Sequence, residues 1–145
     1  MATPLSEDAL IQLRVAHLSM IQGVVSRLSG FSANAKNFCI TIFAAIVAVA
    51  FQKPLPDLIW AGVAVPCTFA LLDAYYLAQE KRFRDFYTSI ALAPLDQATM
   101  LALEPPRLTL AAIARTVFGR SVFIPYLALL VGMTLLLYVA CHYKP

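Results

Sequence analysis

The sequence predicts an all-α integral membrane protein: three transmembrane helices, with a cytoplasmic amphipathic N-terminal helix packed on a helical stem that continues the second span. Three observations predict it. The 145 residues are 61% hydrophobic and only 13% charged, with a mean hydropathy of +0.76, whereas an ordinary soluble domain is nearer half apolar and a quarter charged. Lipid must therefore cover much of the apolar surface. Apolar runs near membrane-crossing length recur along the chain, and lysine and arginine gather on one side of them. The length allows a single membrane domain, residues 1–145, with no stretch long enough for a separate soluble unit.

The first element is expected over residues 6–30. Ser6 followed by Glu7 and Asp8 suits a helix start, a hydroxyl capping free amides and carboxylates meeting the positive end of the dipole. This opening is acidic, unlike a secretory signal. Ile11, Leu18, Ile21, Val25 and Leu28 then form one stripe, widened by Leu10, Leu13, Met20 and Val24. On another side Ser19 and Gly23, and Ser26 and Gly30, are small pairs four apart, which let helix backbones approach closely. Gly30, Phe31 and Ser32 offer a break or bend before the first span, residues 34–52. That span is short of the roughly 20 residues needed to cross hydrocarbon, but flanking Lys36 and Lys53 can snorkel.

Pro54 and Pro56 make a tight turn, and the second span follows over residues 57–78. Pro66 is a kink candidate within it, tolerated in membrane helices. The helical pattern continues beyond the span as a stem, residues 79–92. Leu72, Tyr76, Phe83, Tyr87 and Ile90 extend one stripe, and Glu80 stands four residues before Arg84 in the favourable order. Tyr76, Phe83 and Tyr87 are the expected stem contacts to the N-terminal helix. A linker over residues 93–120 holds short helices, one near residues 95–103. A second, weakly amphipathic piece containing Leu108, Ala111, Ala112 and Arg115 suits the membrane interface. The third span, residues 121–143, carries no formal charge, and Pro125 falls near its start, where proline costs least.

Arg14, Arg27 and Lys36 precede the first span, and Lys81, Arg82, Arg84, Arg107, Arg115 and Arg120 lie between the second and third. Only Lys53 and Lys144 fall on the other side. By the positive-inside rule the N-terminus is cytoplasmic and the C-terminus periplasmic.

Asp73 is the carboxylate inside a predicted span, and such groups are functional candidates. It either pairs with a cation or tyrosine of a neighbouring helix, as a polar membrane contact, or lines an ion path. Lys81, Arg82 and Arg84 read as membrane-proximal cations meeting anionic headgroups, so direct nucleic-acid binding is not expected. His17 and His142 lack companions at ligand spacing, and Cys39, Cys67 and Cys141 form no CxxC pair, so no metal or other cofactor is expected. The chain contains no GxSxG, HExxH, P-loop or GxGxxG pattern and no arginine–histidine spacing of the HEPN ribonuclease kind. An enzyme is not expected.

Three stretches carry a resemblance: residues 17–28, from His17-Leu18-Ser19-Met20; residues 72–84, Leu72-Asp73-Ala74-Tyr75-Tyr76 through Arg84; and residues 115–126, from Arg115-Thr116-Val117-Phe118. Together they resemble a group of small bacterial multi-span proteins, similar in plan to the SLATT-type membrane effectors of anti-phage systems. The likeness in layout covers most of the chain and is specific in residues 72–84. It implies an inner-membrane effector in which a sensor or nucleotide signal triggers homo-oligomerisation and membrane disruption. No appended ligand-binding domain is expected, so the trigger would be a separate cytoplasmic protein or a ligand held by the helical cap. The alternative is a membrane anchor or accessory subunit that holds a cytoplasmic partner through the N-terminal helix and stem.

Overall fold

A computed structural model describes the backbone of residues 6–52, 56–99, 101–105 and 107–142, and the side chains of residues 6–50, 60–97, 101–105 and 107–136. The first helix, α1, spans Glu7–Gln52 without interruption. This differs from the expected break at Gly30-Phe31-Ser32, which would have left separate helices over residues 6–30 and 34–52. An interior glycine costs a helix about 1 kcal/mol relative to alanine, and packing outweighs it, because Ser32 and Ala35 just beyond are buried. The second helix, α2, spans Pro56–Leu92, so span and stem are one element as the pattern predicts. It also runs through Pro66, which is fully buried.

Helices α1 and α2 make the most extensive contact in the molecule, an antiparallel hairpin. Its register is read from paired side chains. Lys36 meets Asp73, Phe31 meets Tyr76 and His17 meets Phe86, so the α2 number climbs as the α1 number falls. At Leu92 the chain leaves α2, forms a short 3-10 helix over Leu95–Thr99 and crosses back over α1. Helix α3, Leu110–Val117, opens on Thr109, whose hydroxyl accepts from Ala112 N. Helix α4, Arg120–His142, is tilted by 57° from α3.

The elbow between α3 and α4 explains one glycine. A Cβ on Gly119 would sit 3.0 Å from the Thr116 carbonyl oxygen, the group that accepts the Gly119 amide. Helix α4 packs on α2 through Val122, Tyr126 and Met133, buried positions at helical spacing. Val122 and Tyr126 join Cys39 of α1 and Ala74 of α2 in the core, with Phe69, Leu77 and Ile113 against it. Further along, Gly62 of α2 admits Met133 so closely that a Cβ there would lie 2.0 Å from the methionine methyl.

Helices α1 and α2 are each long and apolar enough to cross a membrane, and α3 with α4 qualifies as one bent span, giving two or up to three. The apolar surface they leave open includes Phe38, Ile40, Trp60, Leu71, Ile124 and Leu135. Among the described residues there is no strand.

Candidate functional site

The buried polar centre lies where α1, α2 and α4 meet. Asp73 has no exposed surface. Ser32 and Lys36, one turn apart on α1, both reach it. Ser32 Oγ donates to Asp73 Oδ1 at 2.5 Å, and Lys36 Nζ stands 2.6 Å from Asp73 Oδ2. Lys36 Nζ also donates to Ser32 Oγ at 3.0 Å, which closes a triangle. Tyr126 of α4 is beside Asp73 and Cys39, and its buried hydroxyl approaches the carboxylate without reaching hydrogen-bond geometry.

The local sequence explains this arrangement. The spacing of Ser32 and Lys36 puts a hydroxyl and an ammonium on one face of α1, and the hairpin register sets Asp73 opposite them. A carboxylate removed from water is costly unless paired and hydrogen-bonded. Here the lysine balances its charge and the serine satisfies an oxygen. Lys36 retains 26% of its side-chain exposure and lines a half-open crevice between α1 and α4 with Ile40, Pro125, Tyr126 and Leu129. The cluster can hold the helices in register by pairing Asp73 with Lys36 and Ser32 across the hairpin. Among the described residues no group of three or more His, Cys, Asp or Glu side chains could hold a metal.

A second polar system ties the linker down. Arg14 donates through Nη1 to the Ala93 carbonyl at 2.7 Å and through Nη2 to the Pro94 carbonyl at 2.5 Å. His17, 2% exposed, has Nε2 3.0 Å from the Ala102 carbonyl and its ring edge-on to Phe86. Arg82 donates to the Pro105 carbonyl at 3.3 Å and also to Gln79. Side chains of both hairpin arms thus hold the linker main chain.

The other sequence-derived candidates separate. Tyr76 packs on Phe31 at 5.4 Å between ring centroids, while Phe83 and Tyr87 are half-buried. Phe86, outside the expected stripe, supplies the aromatic contact to His17. The cations also divide: Arg84 pairs with Glu80 at 2.7 Å, Arg82 turns to the linker, and Lys81 is exposed. Ser19, Gly23, Ser26 and Gly30 are all exposed, and a Cβ at either glycine would meet nothing within 4 Å. That face takes no part in the hairpin contact. Residues 143–145, the end of the third expected span and its flank, lie outside the described residues, as do Lys53, Pro54 and Leu55 of the turn.

Sequence reasoning found Asp73 but missed its partners, Lys36 and Ser32, and gave Arg14 no contact. The available signal was a polar pair four apart at the border of a span, on the helix that must fold back against the carboxylate. Comparison with protein families, with curated proteins and with solved structures finds no match to this chain.

Proposed function

We propose that this chain is a non-enzymatic, multi-pass bacterial inner-membrane effector that assembles as a homo-oligomer and perturbs or permeabilises the membrane in phage defence. The placement of lysine and arginine supports three spans, a cytoplasmic N-terminus and a periplasmic C-terminus. The observation that carries the reading is the open side of α1. Over its first half Ser19, Gly23, Ser26 and Gly30 are exposed together with Ile11, Val15 and Met20 at 45%, 61% and 44%. One uninterrupted helix joins that surface to a membrane span. A small-residue face on such a helix suits close helix–helix approach, and a second copy supplies the matching surface.

In the single chain Asp73 is covered and balanced by Lys36. A cation path past it therefore requires the α1, α2 and α4 contacts to part, which is the step assigned to activation. The trigger is a separate cytoplasmic sensor or a ligand held by the helical cap. Overproduction with that trigger should depolarise cells and arrest growth. Under the ion-path role, Asp73→Asn abolishes both while leaving yield and oligomer size unchanged. Loss of folded protein, or intact toxicity, assigns Asp73 a structural role instead.

The second reading is an anchor or accessory subunit for a cytoplasmic partner. It is favoured by apolar side chains exposed at the open end of the hairpin and in the linker, Leu92 at 82%, Leu101 at 43% and Leu103 at 41%. An anchor would co-purify with a stoichiometric soluble protein and leave the membrane potential unchanged.

A further inference from the structure

The elbow between α3 and α4 presents a surface that the effector reading does not use. Helix α3 turns Ala112, Ile113, Thr116 and Val117 inward, with Ile113 and Val117 packed against the core. Its outward arc is Leu110, Ala111, Ala114 and Phe118, bordered by Arg115, and all five are exposed. Leu110 and Phe118 are exposed by 85% and 75%. In water such an arc would be an unfavourable place for a leucine and a phenylalanine.

Its position supplies the cover. Phe118 meets Phe123 on α4 at 6.5 Å between ring centroids. The apolar surface thus continues from α3 onto Phe123, Ile124, Leu127 and Val131, the open side of a helix that qualifies with α3 as a membrane span. A short helix with such a face, lying at 57° to the span it feeds, fits the boundary between acyl chains and headgroups. The cations complete the pattern. Arg107, Arg115 and Arg120 stand before, on and after this short helix, and among the described residues none of them pairs with a carboxylate. On the hairpin, Lys36 and Arg84 are matched by Asp73 and Glu80, and Arg14 and Arg82 donate to linker carbonyls.

We propose that the elbow is an anionic-phospholipid site: Leu110 and Phe118 enter the acyl boundary, and Arg115 and Arg120, with Arg107, collect the headgroup phosphates. Guanidinium groups suit phosphate by their fork of donors, and each cation near a bilayer surface favours anionic over zwitterionic lipid several-fold. The inference rests on α3 and α4 meeting the bilayer and is independent of any effector activity.

The test uses the full chain carrying Trp60→Phe and Phe118→Trp, so that the sole tryptophan reports from the elbow. It is reconstituted in phosphatidylcholine vesicles containing an equal minor fraction of brominated phosphatidylglycerol or brominated phosphatidylcholine. Quenching by the brominated phosphatidylglycerol should be at least about twofold stronger, and the difference should shrink as salt is raised. Arg115→Gln with Arg120→Gln should equalise the two lipids while quenching itself persists. Equal quenching in the unsubstituted background would overturn the charge selectivity. Absence of quenching by either lipid would overturn the interfacial placement. If the double variant does not fold, the salt titration of the parent decides alone. Depolarisation measured in parallel separates failure of this site from failure of the effector reading.

Discussion

Lys36 Nζ lies 2.6 Å from Asp73 Oδ2, an ion pair across the α1–α2 hairpin in which the carboxylate has no exposed surface and the lysine keeps a way out. The asymmetry sets the consequences of removing either partner. Lys36→Met strands a charge and should cost about 3–5 kcal/mol. Asp73→Asn should cost less, because the amide can still accept from Ser32 and the lysine can turn toward the crevice. Replacing the pair together, Lys36→Met with Asp73→Leu, should recover most of the loss. Thermal unfolding in one detergent measures all three, and a neutral Lys36→Met would show that the pair contributes nothing.

Where α2 meets α4, Gly62 makes room for the Met133 side chain. A side chain there occupies the site of the Met133 methyl. Gly62→Val should cost on the order of 1–3 kcal/mol by overpacking and loosen α4 from α2. Met133→Ala should rescue Gly62→Ala by vacating the space. Disulfide cross-linking between cysteines placed on the two helices reads the loosening. Unchanged cross-linking in Gly62→Val would count against this contact.

The small-residue face makes the opposite prediction. Because a Cβ at Gly23 meets nothing within 4 Å, Gly23→Leu should leave the single-chain fold and its yield intact. If that face joins copies, the variant should run as a smaller species than wild type by light scattering in detergent. A wild type that is monomeric throughout would remove the oligomeric effector.

The linker is held by hydrogen bonds to its own main chain, so side-chain losses there should be local. Arg14→Ala removes two charge-assisted bonds, to Ala93 O and Pro94 O, each of a kind worth roughly 1.5–3 kcal/mol. Hydrogen exchange should rise in residues 93–105 and hardly change in residues 60–80. Arg14→Lys should rescue only in part, since an ammonium lacks the planar fork. Faster exchange along the whole of α2 would mean that Arg14 supports the hairpin itself.

Much of the architecture was legible because it is written in local patterns. The apolar runs, the proline-rich turn and the continuous stripe through Tyr76, Phe83 and Tyr87 fix where α1, α2 and α4 lie. Glu80 and Arg84 were legible for the same reason, as neighbours on one helix. The site was not, because its contacts join different helices. Lys36 reads as a flanking cation until the hairpin register brings it to Asp73. His17 reads as a lone histidine because a main-chain carbonyl such as Ala102 O has no sequence signature. The expected break at Gly30 failed for a related reason: glycine weakens a helix locally, whereas Ser32 and Lys36 hold it through a contact made elsewhere.

The unbroken course of α1 has a mechanical consequence. A helix of this length is a rod of roughly 70 Å at 1.5 Å per residue, and it has no joint near Gly30 where one half could swing alone. Arg14 grips the linker near one end, and Lys36 bears on α2 further along. Between those two points α1 also rests on α2 through His17 against Phe86 and Phe31 against Tyr76. A pull on the linker at Ala93 is therefore passed along the hairpin as a unit, whereas a jointed chain would absorb the same pull at the bend.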